Sequence, residues 1–133
     1  MKTARPNMLT KAADDAKLGW NWTFWRRVMR RLILEIGEKS PLYPALLAPN
    51  SKLPVTVKGA PDLEFCVREV GKEIFILAAK REGATVKVTF SGLPSTAADG
   101  VVLFEDSRKV QVKDGAFDDW FGPNEVCVYR LSR

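Results

Sequence analysis

Residues 100–131 decide the fold: Gly100-Val-Val-Leu-Phe-Glu105, then Arg108-Lys-Val-Gln-Val-Lys-Asp-Gly-Ala-Phe-Asp-Asp-Trp-Phe121, then Glu125-Val-Cys-Val-Tyr-Arg-Leu131. Short apolar runs alternate with turn signals. Four strands are expected here: Val101–Glu105, Lys109–Val112, Ala116–Trp120 and Glu125–Leu131. Asp114-Gly115 is the strongest hairpin signal in the chain, because a type I′ turn needs positive φ at both central residues. Many short strands with regular turn signals mark a β-sandwich.

Working back toward the N-terminus, the same grammar holds as far as residue 55. Val55–Lys58 reads as a short strand. Leu63, Phe65 and Val67 alternate with Glu64, Cys66 and Arg68, as in a strand with one buried face. Glu73–Ala79 is nearly all apolar, which suits a central strand covered on both faces. Ala84, Val86, Val88 and Phe90 alternate with polar residues. Gly71 and Glu82-Gly83 supply turns, so these strands are expected to form an antiparallel meander. The loop Ser91–Asp99 is long enough to cross from one sheet to the other. The expected fold is mainly β, an antiparallel β-sandwich of about eight strands over residues 55–133.

One amphipathic α-helix precedes it, within residues 20–39. Trp25, Val28, Met29, Leu32, Ile33 and Ile36 recur at helical spacing and make one stripe. Arg26, Arg27, Arg30, Arg31 and Glu35 fall mainly on the other side. Asn21 or Thr23 would cap the helix, and Gly37 and Pro41 would stop it. Trp20 and Trp22 stand near its start. A stripe this apolar has to lie against the sandwich or a partner, and in isolation the helix is expected to fold back onto one face of the sandwich, burying Trp25, Met29, Leu32 and Ile36. Residues 1–19 are polar and are expected to be loosely attached. Residues 40–54 hold Pro41, Pro44, Pro49 and Pro54 and read as a stiff, extended connector. Leu42, Leu46 and Leu47 suggest that the connector packs along a surface.

The 133 residues make one domain with an appendage. No run reaches the length a membrane span needs, and Met1–Asn7 lacks the apolar core of a secretory leader. The net charge is +5. Its clustering at Arg26–Lys39 allows a nucleic-acid footprint, but with no recognition motif the wet face of a helix is the preferred reading, and no nucleic acid or membrane is expected as a partner. Cys66 and Cys127 fall in different strands and are expected to be free thiols. The chain has no histidine, which excludes histidine-based triads and ligands within it. No cofactor and no metal site is expected.

Candidate sites are few. Asp118 and Asp119 are adjacent, with Glu105 and Glu125 nearby in sequence, but on a strand neighbours point to opposite faces and do not form an acid pair; turn capping, or a pair with Arg108 or Arg130, is the preferred reading. Trp120 and Phe121, with Phe117 and Tyr129, could offer a platform for a sugar ring, against the plainer reading of Phe117 and Tyr129 as core and Trp120 as a shield at a sheet edge. Trp120 and Phe121 are the candidate glycan contacts.

Taken in order, the helix with Arg and Trp, the Pro-rich Leu-Leu connector, Glu73-Ile-Phe-Ile-Leu-Ala-Ala-Lys80, Val88-Thr-Phe-Ser-Gly-Leu-Pro94, Val102-Leu-Phe-Glu105, the Val110-x-Val-x-Asp-Gly-x-Phe-x-Asp119 turn and the closing Val128-Tyr-Arg130 strand resemble the C-terminal end of bacterial glycoside hydrolases built on a (β/α)8 barrel. The resemblance spans roughly residues 20–131. It implies a last barrel helix followed by a non-catalytic accessory sandwich that braces a barrel absent from this chain and contacts glycan. It supplies no catalytic residue, since the acid and nucleophile of such enzymes sit on barrel strands. No activity is therefore expected of this chain alone. A stand-alone carbohydrate-binding module, or a protein-interaction module using the basic helix, is the alternative.

Overall fold

A computed structural model describes residues 25–106 and 108–133. It divides into two compact units, Met1–Tyr43 and Pro44–Arg133. The expectations for residues 1–19, for Trp20 and Trp22 and for a cap at Asn21 or Thr23 lie outside the described residues.

In the first unit a π-helical turn, Trp25–Met29, runs into α1, Arg30–Ile36. The helix stops at Gly37, whose N–H still reaches the Ile33 carbonyl at 2.8 Å while its ψ of 173° turns the chain outward. A Cβ at this position would stand 2.4 Å from that carbonyl oxygen, so glycine is required here. Ser40 then organises the exit. Its hydroxyl donates to the Glu35 carbonyl and accepts from the Leu42 N–H at 3.2 Å. No residue from Trp25 to Ile36 is buried. The burial expected for Trp25, Leu32 and Ile36 is not found: all three are exposed, and Met29 is half-buried.

The connector is not extended throughout. It contains a helical turn, α2 (Tyr43–Leu47). Pro44 is tolerated because it lies in the first turn, where its missing N–H costs nothing. The turn buries Ala45, and Leu42 just before it is buried as well, while Leu46 and Leu47 point into solvent. Farther on the chain runs beside the first long strand. Ser51 N–H donates to the Val67 carbonyl at 2.8 Å, and Arg68 donates to the Ala48 carbonyl.

Eight strands follow among the described residues: β1 (Thr56–Lys58), β2 (Leu63–Val70), β3 (Glu73–Lys80), β4 (Val86–Ser91), β5 (Gly100–Leu103), β6 (Lys109–Val110), β7 (Phe117–Phe121) and β8 (Val126–Ser132). They build two antiparallel sheets, a five-stranded one in the order β2-β3-β8-β5-β6 and a three-stranded one in the order β1-β4-β7. The architecture is the expected β-sandwich. Its inner faces meet in one core, with Ile74, Ile76, Val102, Tyr129 and Leu131 from the larger sheet and Val88, Phe90, Phe117 and Phe121 from the smaller. Phe90 and Phe117 are directly opposite in register and stack at 4.9 Å. Tyr129 crosses the gap and packs on both rings, at 5.4 and 4.9 Å.

The meander expected for the first four strands is not what forms. Only β2 and β3 make a hairpin; β3 then pairs with β8, and β4 joins the other sheet between β1 and β7. In β3, Ile74, Phe75 and Ile76 are all buried, as suits its central place between β2 and β8. A strand apolar on both faces is most stable with a neighbour on each side, whereas β4 has one apolar face and completes the opposite layer. The loop Ser91–Asp99 does cross between sheets, as expected.

The Asp114-Gly115 turn forms with φ of 53° and 73° and pairs Lys113 with Ala116. It is not an ordinary hairpin. Beyond that single bridge, β6 enters the larger sheet and β7 the smaller, so the two arms splay apart.

Candidate functional site

Where the arms splay, the sandwich has an open seam. A groove of about 810 Å³ lies there, lined by Arg108, Lys109, Val110, Gln111, Phe117 and Asp118 among others. At its inner end sits the main polar cluster of the sandwich unit among the described residues. The period of two along β7 explains it. Phe117, Asp119 and Phe121 point inward, and Asp118 and Trp120 point outward. One carboxylate is therefore delivered into an otherwise aromatic layer.

Asp119 is 8% exposed and fully engaged. Its Oδ1 accepts from Arg108 Nη1 at 2.6 Å and from the Trp120 N–H at 2.9 Å, and its Oδ2 accepts from the Tyr129 hydroxyl at 2.6 Å. Burial alone would push this carboxyl up, but hydrogen bonds from Arg108, Tyr129 and Trp120 outweigh it and hold Asp119 below the usual carboxylate range. Tyr129 is pushed well above the usual phenol range, by burial first and then by the ionised Asp119 that its hydroxyl serves. Arg108 is held charged by Asp119 and Glu105, the latter at 2.5 Å from its Nε.

The cluster extends to Cys127. Its sulfur lies 3.7 Å from Arg108 Nη2, 3.8 Å from Glu105 Oε1 and 3.9 Å from Glu125 Oε1. Burial, with the neighbouring carboxylates, raises its thiol to about 12. Glu105, Glu125 and Cys127 offer three ligand atoms within 4.8 Å of one another, a set that could hold a cation. The cation at hand is the Arg108 guanidinium, which already contacts Glu105 and the sulfur. Glu125 is also engaged through its other oxygen by the Gly122 N–H at 2.6 Å.

This arrangement does one thing well: it joins the two sheets. Asp119 belongs to the three-stranded sheet and Tyr129 to the five-stranded one, so their bond is a polar rivet through the core. Three donors favour the charged form of Asp119, while burial disfavours ionisation of Tyr129 and Cys127.

The adjacent aspartates do point apart, as the period of two requires. Asp118 stands on the outer face with Thr89 at 2.6 Å and Lys87 at 3.1 Å, and hydrogen bonds from those two hold it below the usual range. Trp120 is also outside and 60% exposed, while Phe121 is fully buried. Phe121 therefore cannot touch a glycan, and the two-residue platform is corrected to a single exposed indole; neighbours on a strand cannot share a face. The thiols are free. Cys66 on β2 and Cys127 on β8 are separated by β3, so they cannot bridge.

Sequence reasoning placed Phe117 and Tyr129 in the core and offered Arg108 or Arg130 as a partner for the aspartates; Arg108 meets Asp119, and Arg130 pairs with Glu73 instead. It had Glu105 and Glu125 only as acids nearby in sequence, and it missed Cys127 as a member of the cluster. The available signal was the inward phase of Asp119 between two inward phenylalanines.

Compared with known proteins, the chain matches no family model, no curated protein and no solved structure.

Proposed function

We propose that this chain is a non-catalytic accessory domain, a β-sandwich that attaches through its N-terminal helix to a larger protein. The observation that carries this reading is the uncovered stripe. Trp25, Val28, Leu32, Ile33 and Ile36 are exposed along one helix, and no residue of that helix is buried. An apolar band of this kind is a docking face when it belongs to a soluble assembly. The engagement of Asp119, Tyr129 and Cys127 with one another supports the absence of chemistry in the sandwich. The resemblance of residues 20–131 to the C-terminal end of glycoside hydrolases supplies the partner, a (β/α)8 barrel that the sandwich would brace.

The test is reconstitution. A barrel of that enzyme class, expressed without its own C-terminal sandwich, is mixed with this chain and passed over a sizing column. Co-elution and a higher melting temperature for the barrel are expected, and the double substitution Leu32→Glu, Ile36→Glu should abolish both. Separate elution at tens of micromolar would refute the barrel as partner. Turnover of aryl glycosides by the chain alone would refute the non-catalytic reading.

A second reading rests on Trp120. It stands on the outer face of the three-stranded sheet, opposite Lys87 in register and near Asp118, so a single sugar ring could stack there with polar groups beside it. Loss of binding to a glycan panel on Trp120→Ala would favour it.

A further inference from the structure

The charge of this protein is divided between its two units in an uneven way. Up to Tyr43 the chain carries nine Lys and Arg against four Asp and Glu; from Pro44 onward it carries twelve of each. The whole net charge of +5 therefore resides in the unit that holds the exposed stripe, and the sandwich is neutral.

The charge also has a place on the helix. Arg26, Arg27, Arg30 and Arg31 are all exposed. Arg30, near Ile33 within α1, and Arg26, about one π-helical turn before Arg30, border the apolar stripe on one side. The other border, beside Val28, carries Glu35, whose carboxylate is bonded to Arg31 Nε at 3.0 Å. The Arg26 and Arg30 border is thus cationic throughout, whereas the Glu35 border, with Arg27 and Arg31 behind it, is mixed in sign.

We infer that the helix docks into an apolar groove with an acidic rim on a partner protein. The inference rests on the docking reading above and specifies the chemistry of the surface that receives the helix. Charge complementarity demands an anionic rim along the Arg26 and Arg30 border, and arginine meets carboxylates in paired, planar hydrogen bonds. A second copy of this chain is a poor occupant, because self-docking would press two strongly basic units together. An anionic bilayer presents the same sign along both borders and would set Glu35 against lipid phosphates, whereas a protein groove can answer each border differently.

The probe is calcium-loaded calmodulin, whose acidic, methionine-lined groove takes amphipathic helices. Full-length chain is titrated into it with tryptophan fluorescence as readout, in parallel with sedimentation against phosphatidylserine–phosphatidylcholine vesicles. The expected result is micromolar or tighter binding that is lost on calcium removal. It should weaken by about tenfold or more between 50 and 500 mM salt and by a similar factor in Arg26→Glu, Arg30→Glu. The pair Arg26→Lys, Arg30→Lys should retain most of the affinity, which separates charge from helix stability. The double substitution Leu32→Ser, Ile36→Ser should abolish binding.

If the serine variant loses binding while salt and charge reversal change nothing, the acidic rim is refuted and the docking helix stands. If the chain sediments with anionic vesicles and ignores calmodulin, a protein groove is refuted. Binding to neither, or dimerisation through the stripe, overturns the inference as well, and the barrel reconstitution then judges the docking reading by itself.

Discussion

Tyr129→Phe is the sharpest test of how the sandwich is held together. The substitution keeps the ring that packs against Phe90 and Phe117 and removes one oxygen. Among the described residues, that oxygen donates the one hydrogen bond to Asp119 Oδ2, at 2.6 Å, and the carboxylate is 8% exposed. A hydrogen bond to a charged group contributes about 1.5–3 kcal/mol, and a buried oxygen left without a donor keeps its desolvation cost. Against this stands the relief of no longer burying a hydroxyl. The expected loss is therefore about 2 kcal/mol. For a unit of this size, that is a fall in melting temperature of roughly 8–16 °C.

The assay is urea unfolding by circular dichroism at several pH values, for wild type, Tyr129→Phe, Asp119→Asn and the double variant. The pH dependence has a definite sign. Asp119 has a folded pKa below its unfolded value of about 3.9, so its contribution is present above pH 4 and is lost as pH falls through the folded value. Wild type should weaken below pH 4. Tyr129→Phe should begin to weaken at a higher pH, because one of the bonds that depresses Asp119 is gone, and Asp119→Asn should lack this part of the acid limb. A Tyr129→Phe loss below about 0.5 kcal/mol, or an equal loss when Asp119→Asn is already present, would refute the rivet between the sheets.

Other consequences follow from the same geometry. Iodoacetamide at pH 8 should label half-buried Cys66 faster than Cys127, which is buried with its thiol raised to about 12; peptide mass mapping that finds Cys127 modified first would contradict this. Phe121→Ala should cost about 3–5 kcal/mol and Trp120→Ala less than about 1, because one ring is in the core and its neighbour is in water; equal losses in chemical denaturation would mean that β7 is placed in the wrong phase. Gly115→Ala should destabilise by about 1–3 kcal/mol, since φ is 73° and the new Cβ would stand 2.5 Å from the Leu93 carbonyl oxygen. A thermal melt unchanged by that substitution would rule out the type I′ turn.

Much of this was legible from residues in line. Alternation with a period of two is a local property, set by the pleat, and it located the strands and their faces. It separated Asp118 from Asp119 and placed Phe117 and Tyr129 inside. Asp114-Gly115 announced its turn, because few other pairs accept positive φ twice. The stripe from Trp25 to Ile36 defined a helix with one apolar face, and the lack of histidine removed whole classes of chemistry.

Tertiary structure decided which strands are neighbours. Alternation says which face a residue occupies and nothing about what lies across the gap. So β4 left the expected meander, β8 was drawn between β3 and β5, and the Asp-Gly turn became a hinge between two sheets. The polar cluster depends on that choice. Asp119, Tyr129 and Arg108 come from different segments, and only the packing of one sheet on the other puts a phenol and a guanidinium each 2.6 Å from the same carboxylate. Burial, a property of the assembled sandwich, is what then raises Tyr129 and Cys127.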